Sequence, residues 1–232
     1  SITIPESVTE INRHTFKGCT ALKSVTIPES VTEIGDGAFR DCNALESIVL
    51  PESICIIKED VFDSCVNLKT INIPGNATNL GISIFSSCFK LENITISEGI
   101  KKIPDYMFRK CKSLSEITLP TTIEQIGMKV FSGCTSLKTI PVGLFKNITS
   151  VTQGVFYETF LGCTGLNNIP SDLFVNIKNT AAVAFFGTFS GCTGLTELPN
   201  GLFRNIEGKP VWADFGSTFE NCTGLEGYIP ND

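Results

Sequence analysis

The stretch FRDCNALESIVLPESICII, residues 39–57, decides the fold. Phe39, Cys42, Leu45, Ile48, Leu50, Pro51, Ile54 and Ile57 define the pattern F-x-x-C-x-x-L-x-x-[IV]-x-[IL]-P-x-x-[IV]-x-x-I, which returns along the chain. Phe recurs at 16, 39, 62, 85, 108 and 131, Leu at 22, 45, 68, 91, 114 and 137, and Cys at 19, 42, 65, 88, 111 and 134, each 23 residues after the last. A fixed period of this size means that one small unit is stacked on copies of itself and buries its apolar face only against them.

Within a unit, Val25 and Ile27 alternate with Ser24 and Thr26, which predicts a short strand buried on one face. Proline cannot donate to a sheet ladder, so the column Pro5, Pro28, Pro51, Pro74 and Pro120, with Ser97 once in its place, marks the strand's end. A second extended segment follows, with Val31 and Ile34 inward and Thr32 and Glu33 outward; Ile54/Ile57, Ile100/Ile103 and Ile123/Ile126 are its equivalents. In residues 35–43, Phe39 and Cys42 lie three apart, and Asp36, like Asp105, is placed to cap a single helical turn. Twenty-three residues cannot hold a full helix besides two strands, so this turn is expected to be short or of 3-10 type.

Beyond Cys134 the unit lengthens, and Cys163, Cys192 and Cys222 follow at 29, 29 and 30 residues. Its pattern is C-T-[GS]-L-x-x-[IL]-P-x-x-L-F-x-N-I, a variable stretch, then F-x-x-[TS]-F-x-x-C. Leu144/Ile148, Leu173/Ile177 and Leu202/Ile206, with Phe156/Phe160, Phe185/Phe189 and Phe215/Phe219, have i, i+4 spacing, so real helical turns are expected on the outer side of these coils. The expected division is residues 1–134 in short repeats and 135–232 in long ones, without a linker, because the strand motif runs through the boundary.

A strand, a short turn and a coil lined by Leu, Ile, Phe and Cys form the leucine-rich-repeat arrangement in general. The string AFRDCNALESIVLPESI, residues 38–54, closely resembles the BspA-like, or treponemal-type, class of these repeats, and nearly the whole chain follows it. The fold expected is an α/β repeat: a right-handed, curved leucine-rich-repeat solenoid of about nine coils, roughly 40 Å long at strand spacing. Its parallel β-sheet is expected on the concave face and its short helical or 3-10 turns on the convex face. The resemblance implies an extracellular or cell-surface protein of a host-associated bacterium or a parasitic protist, with an adhesive or host-binding role, and it carries over no catalytic residue. The L-F-x-N-I segments depart from the class pattern, so uniform curvature is not expected. The chain begins and stops on the strand motif with no polar cap over either end coil, and is expected to be a piece of a longer protein.

Composition excludes several functions. The 232 residues are 42% hydrophobic, and 18 Lys plus Arg against 24 Asp plus Glu give a net charge of -6, with no basic half to grip nucleic acid or an anionic membrane. Apolar runs such as residues 54–57 and 181–186 fall far short of the roughly 20 residues of a spanning helix. The ten cysteines include no C-x-x-C pair and the chain has one histidine, His14, which removes metal sites and most His-dependent catalytic schemes. No phosphate-binding glycine loop occurs, and Glu116 and Glu197 lie too many coils apart for a glycosidase pair. No enzyme activity, metal or cofactor is expected. The repeat cysteines sit between Phe and Leu columns and read as buried, unpaired thiols, whereas Cys55 aligns with Thr32 and Lys101 at an outward position and reads as the reactive one. Arg109, Lys110 and Lys112 with Lys101 and Lys102 form the only basic concentration, and four Asn-x-Ser/Thr sequons begin at Asn76, Asn93, Asn147 and Asn221.

The surface itself remains. The outward strand column reads Ser24, Ser47, Thr70, Asn93, Glu116, Thr139, Asn168, Glu197, beside Thr26, Val49, Asn72, Thr95 and Thr118. This even polar face is the candidate site for a protein or glycan ligand, host-derived in the reading the resemblance suggests; the bland alternative is a solvated strand face. Lys209-Pro210-Val211-Trp212 is the second candidate, because Trp212 aligns with Ala182 and Gln153 and so has no aromatic repeat partner. Two functions follow: a surface-displayed binding or adhesion module, or a structural spacer of a larger surface protein with no ligand of its own.

Overall fold

The computed structural model describes residues 1–149, 154–178, 183–206 and 215–226. They form a parallel-strand β-solenoid. The first strand segment of each unit gives β1 (Ile2–Thr3), β3 (Val25–Thr26), β6 (Thr70–Ile73) and β8 (Asn93–Ile96), and the second gives β2 (Glu10–Ile11), β4 (Glu33–Ile34), β5 (Ile56–Ile57), β7 (Asn79–Leu80), β9 (Lys102–Ile103) and β10 (Gln125–Ile126). Every pairing is parallel and joins equivalent positions of successive units: Ile11 to Ile34, Ile34 to Ile57, Ile57 to Leu80, Ile103 to Ile126, and Ile71 to Ile94. A shift of one residue would expose the whole inward row, so the 23-residue period itself sets the register.

The core is a set of columns. Phe39, Cys42, Leu45, Ile54 and Ile57 are fully buried, as are Phe62, Cys65, Leu68, Phe85, Cys88 and Leu91 one and two coils on. Nine phenylalanine rings, from Phe16 to Phe219, stack face to face with centroids 5.1 to 5.9 Å apart. Phe145, Phe174 and Phe203 make a second stack in the long units, and Phe156, Phe185 and Phe215 a third. Edge-on contacts at 4.8 to 5.1 Å lock these two stacks together, an arrangement aromatic quadrupoles favour.

The expected helical turns are corrected by the structure. Among the described residues the only helical element is a 3-10 turn at Thr223–Leu225. The segment around Phe39 shows why. The N–H groups of Ala38, Arg40 and Cys42 donate to carbonyls three residues back, whereas those of Gly37, Phe39 and Asp41 donate to Glu59, Val61 and Asp63 of the next coil. With every second amide committed to a neighbour, no i to i-4 ladder can propagate. The backbone is also left-handed twice per coil, at Gly37 and Asp41, Asp60 and Ser64, Ser83 and Ser87, Tyr106 and Lys110, with φ between 55° and 61°, which no right-handed helix tolerates. The i, i+4 pairs Leu144/Ile148 and Phe156/Phe160 arise from consecutive tight turns, in which Ile148 bonds back to Phe145 and Thr159 to Phe156. The turn side is therefore a second intercoil hydrogen-bond ladder.

Several repeated polar residues clip coils together. Each buried repeat thiol donates to the phenylalanine carbonyl of the preceding coil, from Cys42 to Phe16 at 3.1 Å through Cys222 to Phe189 at 3.0 Å. Ser30, Ser53 and Thr122, just after the proline column, donate their hydroxyls to Val8, Val31 and Ile100 at 2.7 Å. The asparagine of L-F-x-N-I does the same in the long units: Asn147 bonds the Thr121 carbonyl, Asn176 that of Lys146 at 2.6 Å, and Asn205 that of Val175 at 2.7 Å. Among the described residues one buried hydroxyl has no partner. Thr188 Oγ1 reaches the Phe156 and Phe185 carbonyls at 2.9 and 2.7 Å, but Thr159, whose preceding coil is a short one without a counterpart of Phe156, leaves its Oγ1 unbonded.

Candidate ligand-binding face

Ser24, Ser47, Thr70, Asn93, Glu116, Thr139, Asn168 and Glu197 are all exposed; Thr70 and Asn93 lie in strands, Ser47, Thr139 and Asn168 in single bridges, and Ser24, Glu116 and Glu197 in backbone outside strands and bridges at the same repeat position. Backbone pairing places Ser47, Thr70 and Asn93 on adjacent rungs, and Thr139 beside Asn168. Thr26, Asn72, Thr95 and Thr118 form a second exposed row, interrupted by Val49 at 80% exposure. Trp212 lies outside the described residues, as do Lys209, Pro210 and Val211 and the aligned Gln153 and Ala182.

A third row was missed in reading the sequence. Lys23, Glu46, Lys69 and Glu92, directly before the first row, alternate in sign up the solenoid and are all exposed. Lys69 Nζ lies 2.8 Å from Glu46 Oε2. That hydrogen bond holds the Glu46 carboxyl below its ordinary value and raises the Lys69 ammonium above its own. The signal was present in the letters, but its members stand 23 positions apart and pair only after stacking. This edge of the face is therefore charged but self-neutralised, whereas Glu116 and Glu197 form no ion pair among the described residues.

The face adjoins a concavity. Where the short units give way to the long ones, Ile140 runs straight into Pro141, without the two residues that stand between Ile117 and Pro120. The missing dipeptide leaves an open groove of about 220 Å³ lined by Ile117, Leu119, Pro120, Val142, Lys146 and Asn147 among others. Val142 stands at its edge, 81% exposed.

The remaining sequence candidates are dispersed. His14 is exposed on the turn side, and Cys55 is the exposed thiol, 3.4 Å from the Ser53 carbonyl. All ten cysteines are free. Burial raises the eight buried repeat thiols, Cys42 to about 11 and Cys134 to about 12. Among the described residues no group of three or more His, Cys, Asp or Glu could hold a metal ion, and no helix is long and apolar enough to cross a membrane.

Comparison with known proteins agrees with this architecture. The model of the BspA type leucine rich repeat region matches in six copies, over residues 1–115 and 35–162. No curated protein matches the sequence. Among solved structures, the pneumococcal vaccine antigen PcpA superposes with a TM-score of 0.62 at 20% identity, over 86% of this chain and 60% of that one. The T. pallidum leucine rich repeat protein is 28% identical over 62% of this chain and 79% of its own, with a TM-score of 0.46. A leucine rich cell surface protein from Faecalibacterium prausnitzii aligns over 97% of this chain and 86% of its own at 20% identity and a TM-score of 0.48. With the repeat model covering well over half of its length, the chain belongs to the BspA-type leucine-rich-repeat family.

Proposed function

We propose that this chain is a non-enzymatic binding module displayed at a cell surface or secreted, which recognises a protein or glycan ligand on its sheet face. The observation that carries the reading is the exposed column Ser24 to Glu197, in which Ser47, Thr70 and Asn93, and Thr139 and Asn168, sit on paired parallel rungs, adjoining the groove at Val142. Short hydroxyl and amide side chains lose little conformational entropy on contact and offer both donors and acceptors to a ligand. Family membership supports a surface location. The short units 1–134 and long units 135–232 act in this reading as one continuous scaffold, with Trp212 a further contact residue.

One observation favours the spacer reading instead: in the Lys23, Glu46, Lys69, Glu92 row the signs alternate and Glu46 and Lys69 pair with each other, as on a face with no partner. The experiment is a screen of the purified chain on an array of matrix proteins and glycans, followed by T70R/T139R and W212A variants on any hit. Loss of binding by about 1 kcal/mol or more at unchanged melting temperature is expected for a contact residue. A chain that binds nothing on the array is the spacer.

A further inference from the structure

Stacking rearranges the basic residues that cluster in the sequence. Lys101 and Lys102 lie on the second strand edge, where Lys101 pairs with Glu124 at 3.2 Å. Arg109, Lys110 and Lys112 instead occupy the corner between turn and sheet, and the coil below adds Phe89 and Lys90 to them. At this corner three successive coils contribute SSCFK (86–90), RKCKS (109–113) and SGCTS (132–136), fifteen residues with four cations and no carboxylate in a chain of net charge -6. None of Lys90, Arg109, Lys110 and Lys112 lies in an ion pair among the described residues. Of the flanking carboxylates, Asp63 lies 3.1 Å from Arg40, and neither Glu92 nor Glu116 forms an ion pair with these cations among the described residues. Lys110 stands on a left-handed residue with its stem over Gly133, where a Cβ would lie 3.3 Å from Lys110 Cγ. Lys112 Nζ sits 4.8 Å over the Phe89 ring.

We propose that this corner binds a polyanionic glycan, a sulfated polysaccharide, at a surface distinct from the sheet face. Unpaired cations on a net acidic protein create a local positive field that nothing within the fold requires. A protein partner would need an apolar centre, but Phe89 is the one large hydrophobic exposed here, and Lys112 already covers its ring. The same cover removes the stacking platform that single-stranded nucleic acid uses. The hydroxyls of Ser113, Thr135 and Ser136, part-buried or exposed between the cations, match the hydroxyls of a sugar polymer.

The test measures binding of the chain to immobilised heparin across a salt series, with completely desulfated heparin, a DNA oligonucleotide and phosphatidylserine vesicles as comparison probes. Expected are retention on heparin that weakens steeply with salt, little binding of the other three, and a ~10-fold or greater loss in K110E/K112E. K101E/K102E, which changes net charge equally on the other edge, is expected to bind within ~2-fold of the wild type. The four positions are exposed, so thermal melts of both variants should match the parent. Absence of heparin retention at about 50 mM salt overturns the proposal, as does equal loss in the two variants or equal binding of DNA or vesicles.

Discussion

Raising the pH should unfold this protein through its cysteine column. Seven repeat thiols, Cys42, Cys65, Cys88, Cys111, Cys134, Cys163 and Cys192, are completely buried, and burial pushes each above the ordinary value of 9.0. A raised folded pKa means that the unfolded chain releases its thiol protons first. Stability is therefore complete below about pH 9 and falls as pH rises toward the folded values, about 11 for Cys42 and 12 for Cys134. At pH 10 each thiol ionised only in the unfolded chain costs about 1.4 kcal/mol, so seven together remove about 10 kcal/mol, comparable with the whole stability of a typical domain. Urea midpoints measured from pH 7 to 10.5 under reducing conditions should collapse near pH 10. Removing two ionisable groups while keeping two donors, as in C88S/C163S, should return about 3 kcal/mol at pH 10 relative to that variant's own stability at pH 7. Stability that stays flat to pH 10, or an identical pH dependence in the variant, would refute the reasoning.

Other outcomes follow from single positions. Thr159→Val removes a buried unbonded hydroxyl and should stabilise by about 1 kcal/mol, whereas Thr188→Val, which loses bonds to Phe156 and Phe185, should cost about 1 kcal/mol in the same denaturant titration. Ser87 holds φ at 60°, so Ser87→Gly should raise the melting midpoint, by about 0.5–1 kcal/mol in stability. Native alkylation at pH 8 followed by mass spectrometry should label Cys55 first and Cys19, half-buried, next, with the eight buried thiols protected until the chain unfolds.

Much of this fold can be read from the letters because its core is a set of columns. Phe39, Cys42, Leu45 and Ile57 recur at one period, and a period fixes the stacking register without any knowledge of distant contacts. The turn side was misread for a physical reason. Spacings such as Leu144 to Ile148 report which residues face inward, but not where the intervening amides go, and here alternate amides leave the coil altogether. Eight of the nine repeat cysteines lie in the core as small apolar residues should, Cys19 of the first coil being only half-buried, yet the Sγ bond from Cys65 to Phe39 spans 26 positions and has no local signal. The same holds for the serine after each proline and the asparagine of L-F-x-N-I: the letter repeats, and its partner becomes visible only when coils are stacked. At the face, alternation was enough to turn Ser47, Thr70 and Asn93 outward, but the groove beside Val142 depends on two residues missing from one repeat relative to the next.

The turn-side ladder also determines how the molecule carries load. Its bonds, like those of the strand pairs, run from one coil to the next, so they lie along the line joining the two ends. Tension applied at those ends does not shear a patch of bonds simultaneously but peels coils singly, beginning where a coil has a neighbour on one side only. Each short coil released would lengthen the tether by 23 residues, about 80 Å of extended chain. A chain stretched between two anchoring points would yield in steps of 23 residues through the short coils and 29 or 30 through the long ones and rewind the same way, a shock absorber whose stroke is set by the number of repeats.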